Sequence, residues 1–279
     1  MTDIMKIPPE KLGEGSSVKV EILPTPEDLY YDFALTLARK IRENNDAGRC
    51  TTVILPVGPT GQYVRFARLV AAERIDCREL VTFNMDEYCR EDGSAIPPED
   101  PMSFEGFMER EFFALLPEEL RPAPSKRSFP DPKAPEEIGE AIAAHGGADI
   151  CFGGIGINGH IAFNEAPEPG DSISDEEFRA LPTRVLRISR ETRVINSVFG
   201  AGGDLSAVPP KCITLGMREL LAARQCRFYC DWQWQRAMVR KAAHGPIGAA
   251  FPASFLQTHP DATIIAAARA AALPDVAPE

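Results

Sequence analysis

The sequence predicts an α/β fold: one mostly parallel, doubly wound, Rossmann-like sheet with helices on both faces. Three observations carry this expectation. Short runs rich in Val, Ile, Leu and Phe recur along the 279-residue chain, and such continuous apolar runs mark strands buried on both faces. Segments with helical spacing lie between most of them. The alternation of strand and helix implies parallel pairing through crossovers.

In chain order, the expected strands are VKVEIL (18–23), TTVILPV (51–57), LVTFNM (80–85), ADICFGG (148–154), CITLG (212–216), CRFYC (226–230) and ATIIAA (262–267). DLYYDFALTLARKIRENN, after the first, reads as a helix whose buried stripe is expected to hold Tyr31, Leu35, Leu37, Ala38 and Ile41. QYVRFARLVAAE, SFEGFMEREFFALL and EEIGEAIAAHG have the same spacing. The Pro-rich stretches LPEELRPAPSKRSFPDPKAP and LPDVAPE read as surface connections, so residues 1–279 are expected to form a single domain. No internal repeat interrupts the order.

Composition narrows the function classes. The chain is 44% hydrophobic and 25% charged, as a globular protein is. A net charge of −11 argues against a nucleic-acid surface but leaves room for a local pocket that holds a small anion. No apolar run reaches the 18 or so residues of a membrane span. MTDIMKIPPEKLGEG lacks a signal pattern, so a cytoplasmic location is expected. The seven scattered cysteines read as free thiols.

In doubly wound sheets, functional loops lie beyond the C-terminal ends of strands. Three candidate loops fall there: LPVGPTGQ, NMDEY and GGIGINGHIAFNE. In the last, Gly153, Gly154, Gly156 and Gly159 crowd into seven residues beside His160 and Glu165. A helix does not tolerate that spacing and a linker has no need of the ionisable pair. Gly154, Gly156 and Gly159 match the dinucleotide pattern G-x-G-x-x-G, but Pro167 and Pro169 leave no room for the helix that would receive a pyrophosphate. GPTG lacks the Lys-Ser/Thr of a P-loop. His160 can be a structural histidine or a proton carrier, Glu165 a loop acid or its partner, and Asp86 and Glu87 a solvated turn or a base at a strand end. Without a metal-ligand cluster or a nucleophile elbow, the residues point to proton transfer that needs neither metal nor organic cofactor.

FNMDEY, GGIGINGHIAFNEAP, TRVINS, VPPKCITLG and FPASFLQTHPDATII occur in this order. Together they resemble the glucosamine-6-phosphate deaminases, also called isomerases, over about residues 20–270. The related 6-phosphogluconolactonases share the Gly-rich loop but lack FNE after the histidine and the FNMDEY run. The resemblance implies a small sugar substrate whose ring opens, whose C2 proton moves to C1, and which releases ammonia to leave a ketose. By position, Asp86 is the implied base for C2, His160 the group at the ring oxygen, and Glu165 and Asn158 its supports. The backbone of Gly156 and Gly159 is expected to face the sugar, as are Gly58, Thr60 and Gly61 of the loop after the second strand. Glu87 is expected beside the base.

The same resemblance fails where the family grips its 6-phosphate. The loop that supplies hydroxyls and amides reads VGPTGQ here, with Val57 for a threonine and Pro59 without an N–H. Val198 stands in place of an arginine. Gln235 aligns with a lysine, although a one-residue shift offers Arg236. Charge-assisted hydrogen bonds contribute roughly 1.5–3 kcal/mol each, so losing two weakens phosphate binding by about two to four powers of ten. Either Arg236, Lys211 or Arg65 restores the charge, or the sugar carries no 6-phosphate. Trp232 and Trp234 can stack on such a sugar or simply pack. The acidic stretch 168–182 is an expected lid. A sugar lactonase and a non-catalytic sugar-binding regulator are the rival functions, and a homo-oligomer is open.

Overall fold

A computed structural model describes residues 3–168 and 170–274. Seven strands form a parallel sheet: β1 (Lys19–Leu23), β2 (Thr51–Leu55), β3 (Leu80–Asn84), β5 (Arg127–Ser128), β6 (Ile150–Gly153), β9 (Gln225–Cys230) and β10 (Ala262–Ala267), in the order β1-β10-β9-β6-β2-β3-β5. Three others form a small antiparallel sheet: β4 (Asp86–Cys89), β7 (Arg184–Arg187) and β8 (Lys211–Thr214), in the order β4-β8-β7. The helices are α1 (Pro26–Asp46), α2 (Gln62–Glu73), α3 (Phe104–Glu111), α4 (Pro135–Ala144), α5 (Asp175–Arg179), α6 (Arg190–Gly200), α7 (Met217–Leu221), α8 (Arg236–His244) and α9 (Ala268–Ala271).

Every residue of β2 and β3 is buried. Their side chains alternate between two cores, Val53 and Leu55 packing with α1 and α2, Ile54 and Phe83 with α4 and α8. Both faces are therefore apolar, which is why these runs do not alternate in sequence. CITLG, expected in the parallel sheet, belongs instead to antiparallel β8. Its short apolar run has the same signature in either sheet, and only the pairing partner distinguishes them.

The stripe of α1 also differs from expectation. Leu29, Phe33, Ala34, Leu37, Ala38, Ile41 and Asn44 are buried, while Tyr31 and Leu35 are exposed. At 100° per residue the buried set fills an arc of about 180°, and Tyr31 and Leu35 fall beyond one edge of it. Thr25 and Asp28 close the helix N-terminus reciprocally.

The two ends of the chain are joined beneath α8. Arg240 is fully buried and donates to the carbonyls of Ile7 (2.8 and 3.0 Å), Arg236 (2.9 Å), Ala271 (2.9 Å) and Ala272 (2.9 Å). Cys50 is exposed and the other six cysteines are buried, all as free thiols. Among the described residues, no helix is long and apolar enough to cross a membrane.

Candidate active site

The loops after β2, β3, β6 and β9 meet along the C-terminal edge of the parallel sheet and enclose a cavity of about 660 Å³. Asp86 and His160 both line it, although 74 positions separate them in sequence. The antiparallel sheet holds them together. Asp86 pairs with Thr214 in β8, and the Thr214 hydroxyl accepts the N–H of Phe163 at 3.1 Å. Asn164 donates to the carbonyl of Leu215 at 2.8 Å, and Leu215 donates to that of Met85 at 2.8 Å. The strand that carries the carboxyl and the loop that carries the imidazole are thus pinned to one intermediate strand.

Asp86 is only 6% exposed, and its carboxyl has no hydrogen-bond partner among the described residues. Burial, and secondarily the neighbouring Glu87 carboxylate, hold it well above the usual carboxylate range. The next side chain points away, because successive residues of a strand face opposite sides. Glu87 does not line the cavity. It accepts the N–H groups of Tyr88 (2.7 Å), Phe104 (3.0 Å) and Glu105 (2.8 Å) and the hydroxyl of Ser103 (2.9 Å), at the N-terminus of α3.

The imidazole is oriented from behind. Asn158 donates through Nδ2 to Glu165 Oε1 at 3.4 Å, so its Oδ1 is the acceptor 2.7 Å from His160 Nδ1. Nδ1 therefore carries the proton and Nε2 the lone pair. Burial holds the His160 pKa well below its ordinary value, against the opposing pull of Glu165, so the ring is neutral at pH 7. Glu165 lies 3.8 Å from Nδ1, beyond a direct hydrogen bond, and acts through Asn158 and Thr192, whose hydroxyl lies 3.3 Å from Nδ1 and donates to Glu165. Ser189 at the start of α6 donates its N–H (2.7 Å) and hydroxyl (2.8 Å) to the same carboxylate, a favourable place for a negative charge.

Gly156 lines the cavity under the imidazole, and a Cβ there would lie 2.0 Å from Nε2. Gly156→Ala is accordingly expected to displace the ring and lower kcat about 100-fold, with an unchanged far-ultraviolet spectrum. A Gly156→Ala protein with full kcat would show that the position of Nε2 does not matter. Gly159 adopts φ +85° and abuts the Phe251 ring rather than the cavity. Ala162, which lines the cavity, also has a positive φ of 53°, a strained backbone for alanine.

Of the other expected contacts, Gly58 and Thr60 line the cavity and Gly61 does not. Arg236 does not line it either: its guanidinium donates to the carbonyls of Arg269 (3.0 Å) and Leu273 (3.1 Å). Gln235 does line it, with its amide held by Ile155 and Trp232. Both tryptophans are on the cavity wall. The described residues of 168–182 are absent from it, and Pro169 lies outside the described residues. Phe178 of this stretch is buried, and Asp175 accepts the N–H of Ala249 at 2.7 Å.

Sequence reasoning passed over Ser189, Thr192, Tyr30 and Asp231. TRVINS contained Thr192 without a role for it. Asp231 directly follows β9, so the strand-end rule that singled out Asp86 would have found it.

No family model matches the chain. It is 33% identical over 221 residues to a glucosamine-6-phosphate deaminase of Halothermothrix orenii, covering 77% of this chain and 83% of that one. It is 30% identical over 264 residues to glucosamine-6-phosphate deaminase 1 of Bacillus subtilis, covering 92% and 99%. Among solved structures it resembles a monomeric glucosamine-6-phosphate deaminase, with 28% identity, a TM-score of 0.78 and coverage of 91% and 99%. A 6-phosphogluconolactonase from Thermotoga maritima, 16% identical at a TM-score of 0.63 with coverage of 90% and 99%, shares the fold alone. With these likenesses spanning most of both chains, and with Asp86 and His160 facing one cavity, the protein belongs to the glucosamine-6-phosphate deaminase family.

Proposed function

We propose that the chain isomerises and deaminates an amino sugar. The observation that carries this reading is the pair facing one cavity: a desolvated carboxyl without hydrogen bonds, Asp86, and a neutral imidazole with its lone pair on Nε2, His160. Nε2 takes the proton of the anomeric hydroxyl as the bond from C1 to the ring oxygen breaks, and returns it to that oxygen. Asp86 then takes the C2 proton and delivers it to C1. The proton lost from the amine matches the one gained by the C1 oxygen, leaving an imine at C2. Water adds there, ammonia leaves, and a ketose remains.

A base must be ionised to act, so kcat/KM is expected to rise with pH along a limb set by Asp86, above the ordinary carboxylate value of about 3.9. Glu87→Gln removes the like charge beside it and is expected to move the limb downward. A limb unmoved by this substitution would assign it to another group. The deciding assay for the function is ammonia release from glucosamine 6-phosphate and from glucosamine, with exchange of the C2 proton in D2O followed in parallel. Hydrolysis of a sugar lactone without ammonia release would instead favour lactonase chemistry.

A further inference from the structure

Resting on the amino-sugar reading, we propose that the substrate ends in a free hydroxymethyl group rather than a phosphate, and that Asp231 is the specificity-determining residue that receives it. Among the described residues that line the cavity there is no lysine or arginine; the ionisable acids and bases are Asp86, His160, Asp231 and two tyrosines besides Tyr30. A phosphate buried there would meet negative charge with no cation on the cavity wall to offset it, and an unpaired buried charge is among the costliest groups to accommodate.

The place of Asp231 makes the conflict specific. It is 4% exposed, and the Tyr30 hydroxyl donates to Oδ2 at 2.6 Å. Oδ1 has no partner from another side chain among the described residues. Tyr30 also touches the loop after β2: a Cβ on Gly61 would lie 2.3 Å from its ring. The carboxylate, Tyr30 and that loop therefore meet at one end of the cavity. This is the loop where the family resemblance leads one to expect the phosphate, and here a carboxylate stands beside it. Like charges repel strongly in so dry a site, whereas a sugar hydroxyl can donate to Oδ1. Trp232 and Trp234 line the cavity as well, and Trp232 packs against Phe199 at 4.6 Å between ring centroids.

None of the cations that could have replaced the missing ones lines the cavity. Arg65 donates to the Gly61 carbonyl at 2.7 Å and lies over the rings of Tyr30 and Tyr31. Lys211 donates to the Glu91 carbonyl at 2.5 Å. Arg269 lies over the Trp232 ring at 4.8 Å, donates to the Asp231 carbonyl and sits 3.8 Å from Asp231 Oδ2, so it serves the carboxylate itself.

The test compares glucosamine with glucosamine 6-phosphate on the wild-type protein and, by calorimetry, on Asp86→Asn, where binding is read without turnover. The wild type is expected to favour glucosamine at least tenfold in kcat/KM, and Asp86→Asn to bind it more tightly by a similar factor. Asp231→Asn is expected to narrow that ratio about tenfold, mainly through KM for glucosamine. Tighter binding of the phosphate, binding of neither sugar, or a ratio untouched by Asp231→Asn would overturn the proposal. If glucosamine binds in preference but no ammonia appears and no C2 proton exchanges, the deaminase reading falls while the substrate class stands. Should Asp231→Asn fail to fold, the wild-type and Asp86→Asn comparisons still decide.

Discussion

Asp86→Asn is expected to lower kcat for ammonia release by about 10²–10⁴-fold, the range of a lost general base. The amide keeps the shape of the carboxyl, so KM should change little. The same substitution is expected to raise the melting temperature at pH 7. The folded-state pKa of Asp86 is raised by burial. Ionising it therefore costs stability as pH rises from the unfolded value of about 3.9 through the folded one. The amide carries no such cost. The stability advantage of Asp86→Asn should shrink as pH falls and vanish below about pH 4, where the acid is protonated in both states. Thermal melts of the two proteins at pH 4 and pH 7, beside kcat, check both halves. An active Asp86→Asn protein would remove the base, and a variant less stable at pH 7 would contradict the burial of its charge.

Replacing Arg240 with methionine is expected to destabilise the protein by about 3 kcal/mol or more. Three backbone carbonyls outside α8, of Ile7, Ala271 and Ala272, lose their donors there, and each buried unsatisfied group costs roughly 1–3 kcal/mol. For a chain of this size that is a fall of roughly 6–12 °C in Tm. Arg240→Lys should recover only part of it, because one ammonium cannot span carbonyls on both chain ends as a planar fork does. Arg240 does not line the cavity, so the folded fraction of either variant should keep its kcat. Denaturant melts and active-site-normalised rates measure the two effects separately.

Much of this architecture was legible because it rests on local chemistry. Six of the seven expected runs lie in the parallel sheet; the central ones are mostly apolar because both faces are covered, whereas edge strand β1, expected to be buried, leaves Lys19, Glu21 and Ile22 exposed. The loops after β2, β3 and β6 could be located for a topological reason: strand ends in such sheets open onto one edge. His160 and Asp86 were legible as ionisable groups at those ends. The antiparallel sheet was not, because nothing in FNMDEY or CITLG announces that β4 and β8 pair with each other. That pairing spans more than a hundred residues and depends on complementary edges rather than on either run.

Adjacent residues show where local reading stops. Asp86 and Glu87 are both carboxylates at one strand end, and composition cannot say which of them enters the cavity. The register Asp86↔Thr214 decides it, turning the first toward the cavity and the second into the N-terminus of α3. Arg236 and Gln235 pose the same problem at the start of α8. The C-terminal segment takes the guanidinium through the carbonyls of Arg269 and Leu273 and leaves the amide on the cavity wall. Residue type and periodicity, being properties of neighbours in the chain, set the strands, the glycine loop and the kind of chemistry. The polarity of the binding pocket arises from Tyr30 meeting Asp231 across 201 positions, and only packing brings such distant groups within hydrogen-bonding range.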